Sequence, residues 1–192
     1  RLQVQILLSM TRLQELPGVS AAAAADSLPF DGTRSSVTFT AVGTEGDDRS
    51  TVPTAQYASA TPRYFEVMGI RLLRGRPFGD QDKAAGAPVA IVTDAIARVS
   101  WPGQDPVGKR LHLGGPQSTN PWLTVVGVVE DVRTRRVEDD PRPTIYRPLG
   151  QRSGLSLSVV LKTQSGPAVL RAPLAAQVRA VDPDLPAYGV RT

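Results

Sequence analysis

The stretch Ala60-Thr-Pro-Arg-Tyr64-Phe65-Glu-Val-Met-Gly69-Ile70-Arg-Leu72-Leu-Arg-Gly75-Arg76-Pro77-Phe78 joins a helix start, two glycine turns and three aromatic rings. Thr61-Pro62 opens a short helix, because threonine can cap it and proline fits its first position. Gly69 and Gly75 allow the backbone to turn tightly. Tyr64, Phe65 and Phe78 flank those turns and read as buried packing residues, not as a ligand box.

Working outward, the chain on both sides is β-rich. Residues 35–42 alternate, with Val37, Phe39 and Ala41 set against Ser36, Thr38 and Thr40, the period of a half-buried strand. A polar, glycine-containing tip at 44–49 turns this strand into another near 53–60. Beyond the quoted stretch, 89–92 reads as a short buried strand that runs into a helix over 94–101. Strands at 110–113, 123–132 and 144–147 complete the middle.

Each end of the chain carries a helix with one apolar stripe. Leu2, Ile6, Met10 and Leu13 recur at helical spacing until Pro17-Gly18 stops them. A strand over 19–26 follows, and its alanines require close cover on both faces. After Ser153-Gly154 comes a strand over 155–162. The stripe Leu170, Leu174, Val178 and Val181 follows, then a last short strand at 185–190. Proline inside a helix loses a hydrogen bond and clashes one turn back. The last helix should therefore break near Ala172-Pro173 and restart with Pro173 in its first turn. The order predicts an α+β fold of two lobes. One lobe is built from both chain ends (1–34 and 153–192), and a β-rich lobe is inserted between them (35–152). The first helix (3–16) should lie beside the last (173–181), on a sheet that holds both flanking strands.

Composition excludes several classes of function. At 192 residues, with 41% hydrophobic and 21% charged, the chain can bury a real core. The net charge of +4 arises from 22 basic residues, 19 of them arginine, which reads as genome composition more than as a binding role. The densest charge run, 130–142, mixes five acids with four arginines and holds no ring; Arg71, Arg74 and Arg76 form a small basic cluster. Both read as solvated faces, so no nucleic-acid partner is expected. The absence of cysteine removes disulfides, thiol catalysis and cysteine metal sites, and is compatible with an oxidising periplasm. The longest uncharged stretch, 111–129, carries too many polar residues, glycines and prolines to span a bilayer. The chain opens at Arg1 without a signal peptide and reads as an excised piece whose anchor lies outside it.

Catalytic signatures fail on inspection. Gly103-Gln-Asp-Pro-Val-Gly108-Lys109-Arg110 approaches a phosphate-binding loop, but Arg110 stands where a hydroxyl should serve Mg²⁺. Its helix-before, strand-after context is also reversed, so it reads as a turn that delivers the chain into a strand. The single histidine, His112, is expected on the solvent side of its strand, and no nucleophile elbow exists to pair with it. Asp80/Asp82, Glu138/Asp139/Asp140 and Asp182/Asp184 lack the regular spacing of a calcium loop. No catalytic, cofactor-binding or metal residue is assigned, no cofactor is expected, and the chain reads as a non-enzyme.

Five segments, in order, carry a family likeness: 60–78 as quoted; Val89-Ala-Ile-Val-Thr-Asp with Trp101-Pro-Gly-Gln-Asp105-Pro106-Val-Gly108-Lys109; Val125-Val126-Gly127-Val128-Val129; Ile145-Tyr146-Arg147-Pro148-Leu149; and Val181-Asp182-Pro183-Asp184-Leu185-Pro186. Together they resemble the MacB-like periplasmic core domain of FtsX-like ABC transporter permeases, and are most similar to the duplicated orphan permeases of soil bacteria. The resemblance implies a porter-like α/β lobe made of both chain ends and an inserted, β-rich sabre-like lobe. It implies a non-catalytic domain on the periplasmic or extracytoplasmic face of the inner membrane. Such a domain relays transmembrane helix movement to substrate export or to an adaptor protein. The implied partners are the permease's own transmembrane helices, a cytoplasmic ATPase domain or subunit, a periplasmic adaptor and a second permease copy. A stand-alone periplasmic ligand-binding or sensor module is the alternative. The family places a strand before the first helix and this chain does not, so an unfilled sheet edge is expected there, paired with a neighbour, covered or frayed.

Overall fold

A computed structural model describes residues 10–31, 35–43, 52–133, 141–151, 157–164 and 166–181. A helical stretch at residues 10–14 (α1) leads into β1 (Val19–Ala25), β2 (Ser36–Ala41) and β3 (Thr54–Ala60). Then come α2 (Tyr64–Met68), β4 (Leu72–Gly75), β5 (Val89–Thr93) and α3 (Asp94–Ser100). The chain continues through β6 (Arg110–Leu113), β7 (Leu123–Val129), β8 (Thr144–Pro148), β9 (Ser158–Thr163) and α4 (Pro167–Val181).

β2 serves two neighbours in succession. Its first half pairs antiparallel with β3 (Ser36 with Gln56 to Thr38 with Thr54), and its second half pairs with β6 (Phe39 with Leu113 to Ala41 with Leu111). The sheet path runs β2-β6-β7-β5-β8-β3, so the β2–β3 pairing closes these strands into a ring. The alternation read from residues 35–42 now has a cause. Phe39 and Ala41 turn inward with Ala55, Ala90, Val92, Leu111, Leu123, Val125 and Ile145 as one buried cluster. Ile96, Ala97 and Trp101, from α3 and its end, join that cluster, and the Trp101 indole N–H donates to the Val42 carbonyl at 3.1 Å.

Outside the ring, β4 adds to β7, while β1 pairs with β3 on one side and β9 on the other. The sequence carries no strand signal at β4 beyond the five residues between Gly69 and Gly75. It forms because Gly75 (φ 72°) meets Gly127 backbone to backbone, just after the extra residue Leu73 in β4 and beside Val126, the extra residue of β7 in its pairing with β5. A Cβ on Gly75 would collide with the Val126 carbonyl oxygen, and one on Gly127 would lie 2.5 Å from the Arg76 carbonyl oxygen.

The two chain ends share a face of β1. Met10 and Leu13 of α1 pack in one cluster with Ala22 and Ala24 of β1, Leu161 of β9 and Leu174 of α4. Two sequence expectations are corrected. α4 runs through Pro173 without a break. Proline removes one donor, the one for the Val169 carbonyl, and the burial of Leu170 and packing of Leu174 hold the helix across that gap. Thr61 does not cap α2: Arg63 occupies the cap position, Pro62 precedes the helix, and the threonine hydroxyl accepts from the Ala24 N–H at 2.9 Å. The tip at 44–49, the last strand at 185–190 and the edge expected beside the first helix lie outside the described residues. Among the described residues, no helix is long and apolar enough to cross a membrane.

Gly75→Ala should destabilise the chain by at least about 3 kcal/mol, combining left-handed strain with a backbone clash. A urea denaturation midpoint equal to that of the wild type would contradict the contact. Phe65→Ala should cost on the order of 3–5 kcal/mol, since its ring is buried among three others. The same titration reads it, and a stable, fully folded variant would count against its role as a core residue.

Candidate functional site at the junction of β1 with the ring

Residues 21–25 are five alanines, each at most 2% exposed. Alternate strand residues face opposite sides, and both sides are covered here. Ala23 and Ala25 meet Tyr64, Phe65 and Tyr146, while Ala22 and Ala24 meet Met10, Leu13 and Leu149. Larger side chains would hold those two layers apart.

β1 touches the ring over a short span centred on Ala25 opposite Ala60. On one flank, the Thr61 N–H donates to the Ala24 carbonyl at 2.9 Å, and the Ala24 N–H donates to the Thr61 hydroxyl at 2.9 Å. On the other, the Asp26 N–H donates to the Ser59 carbonyl at 3.0 Å, and the Ser59 N–H donates to Asp26 Oδ1 at 2.7 Å.

Over this span lies a cluster of rings. Phe65 stands edge-on to Tyr146 at 5.0 Å and to Tyr64 at 5.6 Å, with Phe78 6.0 Å away. Burial pushes both tyrosine hydroxyls well above their usual range; Tyr146, Asp31 and Asp26 add to the effect at Tyr64. Both are therefore neutral packing groups with no nucleophilic character. The loop that carries Phe78 is fastened at two points. Arg76 makes a bidentate pair with the buried Asp82 carboxylate at 2.7 and 2.9 Å, and the Gly79 N–H donates to the same group at 2.8 Å. Gln151 accepts from the Val89 N–H and donates to the Ala87 and Lys83 carbonyls.

Elsewhere the residues singled out in the sequence serve the fold. In the loop at 103–110, the Gly108 N–H donates to the Val125 carbonyl, the Lys109 N–H to the Pro106 carbonyl and the Val107 N–H to Asp105 Oδ1. Lys109 Nζ donates to Gln104 Oε1 at 2.8 Å. The loop spends these amides on its own turn and on β7, and delivers β6. His112 was expected in solvent and is instead 3% exposed. β6 is covered on its outer face too, where the imidazole meets the Trp122 ring edge-to-face at 4.4 Å. Of the basic cluster, Arg71 lies 3.6 Å from Glu130 and Arg76 holds Asp82. Arg74 lines an open cleft of about 470 Å³ with Arg98, Trp101, Gln104 and Asp105. Asp80 is exposed and Asp82 is committed to Arg76, so the two do not converge. Glu138, Asp139, Asp140, Asp182 and Asp184 lie outside the described residues. The roles of Asp26 and Thr61 went unread, because residues that favour turns and caps carry no sign that a strand ends on their side chains.

This architecture is that of ABC-transporter extracytoplasmic domains. The periplasmic region of MacB from Actinobacillus actinomycetemcomitans superposes with a TM-score of 0.62 at 16% identity, over 91% of this chain and 73% of that one. The extracellular domain of the noncanonic ABC-type transporter YknZ from Gram-positive bacteria gives 0.59 at 17% identity, over 92% and 82%. The family described as the MacB-like periplasmic core domain matches residues 3–181, and the chain belongs to it. Over 116 residues the chain is also 33% identical to the probable syringafactin export ATP-binding/permease protein SyfD of Pseudomonas syringae pv. tomato (strain ATCC BAA-871 / DC3000). That match takes in 56% of this chain and 17% of SyfD, so the chain spans about one sixth of the length of this curated relative.

The Arg76 guanidinium, helped by the Gly79 N–H, holds the Asp82 carboxyl below its usual range. A depressed carboxylate stabilises the fold fully above its unfolded pKa, near about 4, and that contribution fades as pH falls toward the folded value. Asp82→Asn should therefore be less stable than the wild type at about pH 7, with the gap narrowing toward about pH 3. Urea midpoints at both pH values check this, and a gap that widens in acid would refute it.

Proposed function

We propose that this chain is the non-catalytic periplasmic domain of a MacB-type ABC permease, relaying transmembrane helix movement to substrate export or to an adaptor protein. The observation that carries the relay is the shared packing of α1, β1, β9 and α4, which gathers the first and last described elements into one unit. In this reading that unit is the porter-like lobe (1–34 and 153–192), and the ring with β4 belongs to the sabre-like lobe (35–152). A unit fed by chain from both ends is suited to pass on the separation of two membrane helices as a rigid-body movement. The partners of this reading are those transmembrane helices, a cytoplasmic ATPase, a second permease copy and an adaptor. Among the described residues, the aromatic cluster and the turn at 103–110 are committed to packing and to the chain's own hydrogen bonds, and this reading assigns no catalytic, cofactor or metal role.

The test uses a cysteine-free form of the full-length permease with one spin label at Lys162→Cys; these 192 residues contribute no cysteine of their own. The distance between labels on two copies should shift when ATP is added to a hydrolysis-deficient form. An unchanged distribution would overturn the relay.

A further inference from the structure

We propose that the side chains of Asp26 and Thr61 are positioning groups that fix the angle between the β1–β9 unit and the ring, making their junction a stiff coupling. The proposal rests on the relay reading for its purpose, but not for its test.

In an antiparallel ladder a hydrogen-bonded residue pair exchanges two N–H···O=C bonds. Here each pair that flanks Ala25 and Ala60 makes one backbone bond, and its second donor turns to a side-chain oxygen. The reason is visible at Thr61. Its carbonyl accepts from the Tyr64 N–H at 3.1 Å and so belongs to the turn into α2. The hydroxyl takes the place in the ladder that the carbonyl has left. At the other flank the chain leaves β1 for the turn at 28–31, where the Leu28 N–H donates to Asp31 Oδ2 at 2.6 Å, and the Asp26 carboxylate holds the Ser59 amide. The two strands thus diverge beyond both flanks, and the final bond on each side is made by a side chain.

The placement of these bonds makes them angular constraints. They lie on opposite sides of the Ala25–Ala60 contact along the strand, so rocking the unit about that contact stretches one or the other. The Ala24–Thr61 bond is buried, and breaking it strands a donor away from water. Apolar layers on both faces of β1 then resist the twist that would remain.

The test uses this chain with spin labels at Lys162→Cys on β9 and Val99→Cys on α3, both exposed positions. Wild-type background should give one narrow distance distribution. Asp26→Ala or Thr61→Val should broaden it at least about twofold, and amide exchange at Ser59 or Ala24 respectively should quicken about fivefold or more. Asp26→Asn and Thr61→Ser keep an acceptor and should restore the narrow distribution. Equal widths in all variants would overturn the proposal. So would equal broadening by Asp26→Ala and Asp26→Asn, which would assign the effect to something other than the hydrogen bond. If Asp26→Ala does not fold, Thr61→Val carries the test alone. All readings come from the chain without membrane or nucleotide, so they stand or fall separately from the relay.

Discussion

β1 is a strand with no exposed face over its last five residues, and the rest of the molecule is arranged around that condition. Alanine is the side chain that satisfies it. It keeps strand geometry while letting α1 and α4 approach from one side and the aromatic cluster from the other. A half-buried strand would need only one apolar face, so an unbroken alanine run implies two layers of cover. Each layer comes from a different part of the chain. One comes mainly from both ends, with Leu149 added, and the other mainly from the middle, so the same seven-residue strand anchors both clusters.

The ring depends on a second economy of chain. β2 has six residues and two partners, and only by passing from β3 to β6 halfway along does it close the path. Closure gives each of those strands two neighbours, and β4 and β1 take up lengths of β7 and β3 that it leaves open, which limits the hazard of exposed backbone donors and acceptors. β4 then lies against β7 at the one place where two glycines allow the backbones to meet. The arginines on either side of β4 are held to Glu130 and Asp82, which ties the short strand and its following loop to the ring.

Much of this was legible in residue patterns. Alternation in β2, the apolar stripes of the end helices and the alanines of β1 each report a burial requirement, and burial follows directly from side-chain chemistry. The unread features depend instead on what stands opposite. His112 alternates with two leucines, which suggests a solvent face until Trp122 is placed against it. Pro173 breaks a helix in isolation, but α4 is held by packing that local propensity does not register. Thr61-Pro62 has the sequence of a helix start, yet the hydroxyl is claimed by β1, thirty-seven residues away in the chain. β4 and the joint share this character: each is set by an approach between distant backbones, and no local period encodes it.

The distribution of hydrogen bonds also separates what should move from what should not. The loops near the ring are tied down by groups with several bonds each: Asp82 holds Arg76 and Gly79, Gln151 holds three backbone groups, and Asp131 holds the Ala95 amide and Arg98. Bonds of this kind add little net stability one at a time, but each constrains a direction. Here they are spread along the seams where segments of chain meet. Polar chemistry that fixes relative position suits the proposed relay, because any slack at a seam would absorb the movement before it reached the far side.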